Sequence, residues 1–450
     1  MLNLTNLHYD LFMKNIIRYF LIASIMVCLP GSSLAFGLVE AWDAARNFNS
    51  EYAAAQHQRY AEREKNNIGR AGLLPQISIA TNHTRNHWES PVGMPSSEAR
   101  SYSFQLNQPL FDVGKYAAFQ RGGIEAKMAD VQFDLSRQQL LASVIRAYLE
   151  ASRAQDLLAA TLAAKKAYQL QVQQAYLAQR LGTASLLELN EAQAALDGAS
   201  AKELEDRNEL ERWQLEVGRL TGLDGKMVYT VDNVLALKPY PESEFEYLAN
   251  RAMIVNHSVR LAELAIEVAR SDVLAKKSLH MPILSLSAAY SDKHDADGFP
   301  ASRRGSSIGV VFSMPIFSGG GHQAQLRESL SNKDAAQEKS EATRRQVKAQ
   351  ILKALNDMNS GVKLTMAKEK LLLSSKSKLD STRLGLKVGL RSQLDLLQAE
   401  QAYLDAFAGL IESKHRYLTS HVNFALLMGN LERDVLSRLN NVLTLRARLS

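Results

Sequence analysis

The sequence carries one pattern twice, and the two copies are about 207 residues apart. Adding 207 to five positions in the first half finds the same residue type in the second half: Asn49 and Asn256, Pro75 and Pro282, Gly182 and Gly389, Ala192 and Ala399, Gly222 and Gly429. A register held over this length predicts two copies of one structural unit. Each unit is predicted to contain a short helix, a strand, a loop, a second strand and two very long helices.

The repeat divides the chain into five predicted segments. Residues 1–35 are predicted to be a signal peptide, and residues 36–223 form the first repeat, with a β-hairpin at about 74–110 and a helical tip near 182. A connector covers residues 224–243. The second repeat covers 244–430, with a hairpin at about 281–316 and a tip near 389, and residues 431–450 are a C-terminal tail.

The N-terminal segment predicts export. A start at Met13 places two basic residues before an apolar stretch at 19–29, and a small-residue cleavage site ends at Ala35. This pattern is typical of a secretory signal peptide and is too short for a membrane anchor; the alternative is a buried hydrophobic helix. The only cysteine, Cys28, lies in this segment, so the mature chain is predicted to have no disulfide, thiol nucleophile or cysteine metal site.

The composition and the motifs argue against several classes of function. A mean hydropathy of −0.19 is too polar for a bundle of membrane helices. A net charge of +6 over 450 residues is no signature of a nucleic-acid partner. We find no phosphate-binding loop, nucleophile elbow or helical histidine pair, and therefore predict no catalytic residue, cofactor or metal. The three glycines at 319–321 fit a bend between a strand and a helix.

The second half of each repeat predicts unusually long helices. Residues 124–181 contain neither glycine nor proline, which permits a helix about 87 Å long. Two apolar heptad series run side by side, one from Leu390 to Leu418 and the other from Leu396 to Phe424. Two seams suit a helix with a neighbour on each side, as in a ring of helices, while a broad apolar face in an ordinary bundle is the alternative. The remaining stripe is polar or small and could face water inside such a ring: Arg391, Asp395, Gln398, Ala402, Asp405 and Glu412.

The first half of each repeat predicts short amphipathic strands. Tyr102, Phe104 and Leu106 alternate with polar residues, and similar alternation follows residues 75, 283 and 306. Such segments fit a transmembrane β-barrel, although a half-buried sheet on a soluble core shows the same alternation. Two hairpins give four strands, too few to close alone, and an open edge is not tolerated in lipid. Strands that span a membrane would therefore need several chains in one barrel. The hairpin loops, roughly 86–99 and 292–305, are predicted to be exterior.

These segments together resemble the outer-membrane efflux protein (TolC) family, type I secretion branch, over essentially the whole mature chain. The matching residues precede and follow each predicted hairpin and form each helical tip: 74–76, 108–112, 180–189, 281–283, 314–320 and 387–397. The resemblance implies a mixed α+β membrane protein. Its homotrimer would form a 12-stranded β-barrel, with four strands per chain, continued by a long α-helical barrel.

The resemblance also implies a passive exit duct for type I protein secretion or multidrug efflux. The barrel would contact outer-membrane lipid, and the helical barrel would cross the periplasm. The implied partners are a periplasmic membrane-fusion adaptor and an inner-membrane ABC or RND-type transporter, which supplies the energy. A periplasmic coiled-coil adaptor is the alternative function, but adaptors carry one helical hairpin and lack the paired amphipathic hairpins. An exported enzyme is a third class, and no site supports it.

Eight residues near the two tips are implied to be functional. Gly182, Thr183, Gly389 and Leu390 match tips that contact the adaptor in the family; turns without a partner are the alternative. Asp395 matches the first acid of the family's aperture ring. Gln398, three residues further on the same helix face, replaces the second acid, so the ring would carry half the charge.

The other two residues, Arg391 and Glu188, are implied to hold the channel entrance closed. Arg391 matches the family's gate arginine, and Glu188 matches the acidic partner that holds neighbouring tip hairpins together. Leu386 occupies the position of a gate tyrosine found in some members, and this departure puts the second tie in doubt. The alternative interpretation is that Arg391 only neutralises Asp395 and Glu188.

Overall fold

The structure is a computed structural model that describes residues 36–87, 97–223, 228–231, 239–295, 302–431, 433–441 and 443–444. The predicted signal peptide lies outside the described residues. So do the central parts of both predicted exterior loops, at 88–96 and 296–301, and most of the connector.

In the described part of the first half of the chain, four helices and two long strands precede a short strand. The elements are α1 (Leu38–Phe48), α2 (Ser50–Ala71), β1 (Gln76–Asn86), β2 (Ser97–Phe111), α3 (Val113–Arg180), α4 (Leu186–Thr221) and β3 (Thr230–Val231). Asn49 ends α1 and caps α2, because its Oδ1 accepts a hydrogen bond from the Tyr52 amide at 2.9 Å. The 68-residue α3 begins before the glycine-free run and includes Gly122 and Gly123.

The second half contains α5 (Phe245–Val255), α6 (His257–Lys277), β4 (Ile283–Asp295), β5 (Ser302–Ser313), α7 (Gly321–Lys387), α8 (Gln393–Leu427), α9 (Arg433–Asn440) and β6 (Leu443–Thr444). Asn256 caps α6, as Asn49 caps α2, by accepting from the amides of Ser258 and Val259. Gly319 and Gly320 adopt positive φ of 60° and 81° between β5 and α7, so this glycine run is a strand-to-helix bend.

The four long strands form one antiparallel sheet in the order β1-β2-β4-β5. The pairing of β2 with β4, for example Phe104 opposite Tyr290, joins the two hairpins. Every residue of β5 is exposed, and apolar side chains such as Ile79 and Ile308 are more than three-quarters exposed. The predicted strands are confirmed, and β1 and β5 are the two edges of this sheet.

The helices form two rows of four. Near the strands the order of contacts is α2-α3-α6-α7, and we call this the strand-proximal row. Further along the same long helices the order is α4-α3-α8-α7, which we call the tip-proximal row. Both α3 and α7 are long enough to take part in both rows. Outside the rows, the short helices α1 and α5 pack against α4 and α7, respectively.

The two heptad series of α8 face two different neighbours. Leu397, from the first series, packs with Ala164 and Tyr168 of α3 and with Ala199 of α4. Leu396, from the second series, packs with Leu379 of α7. The helix therefore has a neighbour on each side, as the two seams predict. Between the seams, Arg391, Gln398, Asp405 and Glu412 are exposed, and Asp395 and Ala402 are half-buried.

The main core lies where α1, α3, α8 and α9 meet. Tyr148 is fully buried there, and its hydroxyl donates to the Phe36 carbonyl and accepts from the Tyr229 amide, both at 2.8 Å. The Phe36 ring packs edge-on against Tyr148. Phe36, the predicted first residue of the mature chain, is thus part of the core. The tail helix α9 contributes Val435, Leu436 and Leu439 to the same cluster.

Gly122 allows α2 and α3 to approach closely. A Cβ atom at this position would lie 2.3 Å from the Lys65 carbonyl oxygen, whereas a Cβ at Gly123 would meet only the Asn66 side chain, at 3.4 Å. We therefore expect Gly122→Ala to destabilise the fold by about 1–3 kcal/mol, because the backbones must separate. Gly123→Ala should be neutral or stabilising by up to about 1 kcal/mol, because alanine favours the helix.

Thermal unfolding of the two neighbouring variants provides a matched comparison. The transition temperature should fall for Gly122→Ala and should stay the same or rise for Gly123→Ala. Equal changes in transition temperature in both variants would contradict the explanation that Gly122 is needed for the close approach of α2 and α3.

Candidate gate at the helical tips

Both tips are left-handed glycine turns. Gly182 and Gly389 have φ of 73° and 76°, in the region that residues with a Cβ avoid. In each turn the amide of the residue after the glycine donates back to the helix: Thr183 N to Ala178 O at 2.9 Å, and Leu390 N to Gly385 O at 2.8 Å. This is the Schellman arrangement, which satisfies the last carbonyls of a helix. The predicted chain reversal at these glycines is therefore present in the structure.

Serine residues start the outgoing helices. The Ser185 hydroxyl accepts from the Glu188 amide at 3.2 Å, and the Ser392 hydroxyl accepts from the Asp395 amide at 3.1 Å. The Asp395 carboxylate in turn accepts from the Ser392 amide at 3.0 Å, which completes a capping box. Thr183 is not a cap, because its hydroxyl donates back to the Ala178 carbonyl at 3.0 Å.

The two tips of one chain lie side by side and line one cleft of about 270 Å³. Thr183 and Glu188 line it from the first tip, and Leu386, Arg391 and Ser392 line it from the second. The structure therefore brings together the two residues implied to form the gate latch. Leu386 lines the same cleft.

Within one chain, Arg391 forms an ion pair with Asp395. Its Nη1 lies 4.0 Å from Asp395 Oδ1, and the Arg391 side chain is 61% exposed. Its aliphatic part covers Gly385, where an added Cβ would lie 2.7 Å from Arg391 Cγ. Gly385 thus makes room for Arg391, a role that the sequence did not suggest. Within one chain this geometry agrees with local neutralisation of Asp395.

The cap also controls the charge of Asp395. Hydrogen bonds from the Ser392 backbone amide and hydroxyl lower the pKa of Asp395, and the Arg391 charge adds to the effect. The carboxylate is therefore ionised at neutral pH. Gln398 is exposed one turn further along α8.

A buried carboxylate above the tips was missed by the sequence reading. Glu400 accepts hydrogen bonds from Gln171 of α3 and from Arg383 of α7, the latter at 3.0 Å. Tyr168 of α3 donates to the neighbouring Gln401 at 3.2 Å. Glu400 therefore ties three helices together. The burial of Glu400 could have been predicted from its spacing. It lies between Leu396–Leu397 and Tyr403–Leu404 of the two heptad series, on the buried side of α8.

The described residues contain neither a candidate membrane helix nor a candidate metal cluster. No helix there combines the length and apolarity needed to cross a membrane. No group of three or more His, Cys, Asp or Glu side chains there is arranged to hold a metal ion.

The exposed apolar sheet, the paired long helices and the polar tips define a membrane channel protein. A model of the family described as "Outer membrane efflux protein" matches residues 42–223 and 248–430. These segments make up most of the sequence. The chain therefore belongs to the outer membrane efflux protein family.

Individual relatives agree with this assignment. The chain is 28% identical over 426 residues to the "Outer membrane protein TolC" of Escherichia coli (strain K12), covering 92% of this chain and 86% of that protein. It is 27% identical over 425 residues to the "Alkaline protease secretion protein AprF" of Pseudomonas aeruginosa, covering 92% and 88%. The Campylobacter jejuni CmeC outer membrane channel superposes with a TM-score of 0.77 at 16% identity, covering 90% and 89%, which shows a shared fold.

The family assignment confirms the resemblance drawn from the sequence. The protein is an outer-membrane efflux channel, and the alternative of a periplasmic adaptor is wrong. Its relatives are channel proteins and not enzymes.

Proposed function

We propose that the chain forms a homotrimer in which three four-stranded sheets close one 12-stranded barrel. The observation that carries this proposal is that the sheet and both helical rows end in unpaired edges. Three copies, the number implied by the family resemblance, supply 12 strands. The helical rows of the same three copies would continue the barrel as a duct through the periplasm.

The edge strands explain why a single chain is insufficient. An unpaired strand edge in lipid leaves backbone N–H and C=O groups without partners, at several kcal/mol each. Pairing β5 of one copy with β1 of the next removes both edges. Ile308, Val310 and Phe312 of β5 are 77%, 60% and 65% exposed, as expected for side chains that contact lipid.

Each chain would contribute two structural repeats to the duct. The separate matches of the family model to residues 42–223 and 248–430 support this, as do the equivalent caps at Asn49 and Asn256. The segment bounds proposed from the sequence, 36–223 and 244–430, remain predictions.

The channel would act passively within a tripartite export system. Its partners would be a periplasmic membrane-fusion adaptor and an inner-membrane ABC or RND-type transporter. Type I protein secretion is favoured because relatives named AprF and PrtF, for protease secretion, match 92% of this chain at 27% and 26% identity. Multidrug efflux is the second candidate, since the toluene efflux protein TtgC matches 82% at 23% identity.

The tip residues would have three roles in this duct. Gly182, Thr183, Gly389 and Leu390 would form the turns that contact the adaptor. Asp395 and Gln398 would surround the entrance as an aperture ring. Arg391 of one hairpin and Glu188 of another would form the latch that holds the entrance closed.

Reconstitution in a planar lipid bilayer tests the proposed channel. The purified protein should insert as an oligomer with a stable single-channel conductance. Reconstituted protein that remains monomeric and conducts no ions would contradict the proposal.

Asp395 is expected to make the entrance cation-selective. Three copies of its carboxylate would concentrate cations at the narrowest point, so Asp395→Ala should reduce both cation preference and block by multivalent cations. Because the pKa of Asp395 is lowered, the cation preference should be lost at a lower pH than an ordinary aspartate would give.

Gln398 supplies matched controls for this measurement. Gln398→Ala should leave the reversal potential in a salt gradient unchanged, and Gln398→Asp should increase cation preference. If Asp395→Ala conducts with unchanged selectivity, the carboxylate is not at the narrowing.

A further inference from the structure

The four-stranded sheet has one apolar face and one polar face. Residues directly opposite each other on neighbouring strands share a face, and successive residues of a strand alternate between faces. Phe104 of β2 lies opposite Ile79 of β1 and Tyr290 of β4. Leu286, on the same face of β4, lies opposite Val310 of β5. The other face carries small or uncharged polar side chains over the same levels: Ser78, Ala80, Ser103, Gln105, Ser287, Ala289, Ser307 and Gly309. In the proposed barrel the apolar face therefore contacts lipid.

The apolar face ends at a defined level. On β2 it extends over nine residues from Phe111, opposite Leu284, to Tyr102. At about 3.4 Å per residue this is about 31 Å, or about 23 Å of height for a strand tilted by about 40°. Apolar bands of outer-membrane barrels are about 25 Å tall and end in aromatic residues. Tyr102 and Tyr290 therefore mark the boundary between hydrocarbon and headgroups at the hairpin end of the sheet.

Charged side chains occupy this face immediately beyond the apolar band. Arg304 lies opposite Asp292, which lies opposite Tyr102. Arg100 lies one step further out, opposite His83. We call seven side chains on this face the outer belt: His83, Arg85, Glu98, Arg100, Asp292, His294 and Arg304. They lie at the end of the sheet away from the helices, because β1 follows α2 and β2 leads into α3. With the helices in the periplasm, as proposed, the outer belt lies in the outer leaflet.

The carboxylates of the outer belt hold its arginines. Arg304 Nε donates to Asp292 Oδ2 at 3.0 Å. Arg100 Nη2 donates to Glu98 Oε1 at 3.3 Å. The two arginine side chains are still 74% and 59% exposed. Because a guanidinium has five N–H donors, one bond to a carboxylate leaves donors for a second anion.

The two held arginines define separate anion positions. Arg100 and Arg304 are two strands apart and differ by one same-face step along the sheet. With strands about 4.8 Å apart and a step of about 6.8 Å, their Cα atoms are about 12 Å apart. Arg85, exposed on β1 opposite Glu98, adds a third guanidinium further out. The outer belt therefore suits a headgroup with more than one phosphate.

We propose that the outer belt binds the phosphate groups of a phosphorylated glycolipid in the outer leaflet. Arginine pairs with phosphate oxygens through parallel N–H donors, and each basic residue near an anionic lipid surface strengthens binding. A charge on the lipid-facing side of a strand is costly at the middle of the membrane and tolerated at headgroup level, where the outer belt lies. A lipid is favoured over free phosphate because Tyr102 and Phe104, next to the outer belt, would contact its acyl chains. The inference names the class of lipid that the barrel contacts and so rests on the proposed function.

Arg303 provides a matched control for Arg304. It is the preceding residue of β5 and lies on the polar face, opposite Lys293. A binding site on the lipid-facing side needs Arg304 and not Arg303. General attraction between a basic end of the sheet and an anionic lipid would depend on both arginines.

Native mass spectrometry tests the proposal on the full-length gene product, purified from outer membranes and delipidated in an uncharged detergent. The probe is purified lipid A with two phosphates, and the spectra count bound molecules per particle as the lipid is titrated. The Arg100→Gln/Arg304→Gln variant should bind roughly 30-fold more weakly than wild type, about 2 kcal/mol for two basic residues. Arg303→Gln should bind as wild type does. Unchanged affinity in the double variant, or an equal loss in Arg303→Gln, would overturn the proposal.

Two further probes distinguish the sources of phosphate. Phosphatidylglycerol, with one phosphate, should bind more weakly than lipid A, and inorganic phosphate should not displace lipid A. Phosphatidylglycerol that binds equally well, with the same loss in the double variant, would indicate a phospholipid site. Displacement by inorganic phosphate would indicate a free-phosphate site. Either result would overturn the assignment to a glycolipid.

The particle mass in the same spectra separates this failure from failure of the proposed function. Trimers whose lipid binding does not depend on Arg100 and Arg304 refute only the role of the outer belt. Monomeric wild-type protein refutes the trimer itself. If the double variant does not assemble, Arg304→Gln alone, expected to bind about 5-fold more weakly, is compared with Arg303→Gln. Equal binding by these two single variants would then overturn the proposal.

Discussion

Leucine in place of Gly182 or Gly389 is expected to abolish export while leaving assembled channels in the outer membrane. Both glycines adopt positive φ, where a side chain costs roughly 1–2 kcal/mol, so leucine should change the direction of the turn. The effect should stay local, because nothing lies within 4 Å of a Cβ at either position. The barrel and the main core are far along the chain from these turns. Export should be measured in cells that supply the adaptor and the pump.

Asparagine provides the control for the tip variants. Gly389→Asn should retain much of the export, because asparagine tolerates the left-handed region better than other residues with a side chain. Outer-membrane fractionation verifies that each variant is assembled. Export at the wild-type level from both leucine variants would contradict a role of the tips in docking.

Breaking the proposed latch should open the entrance. Arg391→Ser and Glu188→Gln are each expected to raise single-channel conductance, and the double variant should add little beyond either single one. An exposed Arg–carboxylate pair contributes about 0.2–1 kcal/mol, and three symmetric copies would bias closure by about 0.6–3 kcal/mol. That changes the open population by roughly 3- to 150-fold, enough for a latch that an adaptor can release.

Within the chain Arg391 approaches Asp395, so neutralisation of Asp395 is the alternative to a latch. The Glu188→Gln variant distinguishes the two explanations. If Arg391 acts only by neutralising Asp395, then Glu188→Gln should have no effect on conductance. If Arg391 joins Glu188 of a neighbouring chain, Glu188→Gln should match Arg391→Ser. Fully additive increases, or no increase, would show that the two side chains do not form one latch.

Periodicity was sufficient to predict the elements that build the channel wall. Alternation over about ten residues predicted the strands, because one face of each strand is apolar in this sheet. The two heptad series predicted that α8 has two neighbours, and Leu396 and Leu397 do face different helices. Gly182 and Gly389 predicted the tips, because a helix end that needs positive φ selects glycine.

Interactions between side chains of different helices were not predictable in this way. The polarity of Glu400 suggests solvent exposure, yet Gln171 and Arg383 make its burial possible. Thr183 and Ser185 both have hydroxyls that can cap a helix, but the Thr183 hydroxyl donates to the Ala178 carbonyl and Ser185 is the residue that caps α4. Such outcomes depend on three-dimensional neighbours and not on spacing along one helix.

The mass of the intact assembly tests the central claim most directly. Native mass spectrometry of the full-length gene product, extracted from outer membranes in mild detergent, counts the chains in one particle. The account predicts three chains, and hence 12 strands, in every intact particle. A particle of one chain would leave the β1 and β5 edges unpaired, and a particle of two chains would supply only eight strands. Either result would contradict the proposed 12-stranded barrel.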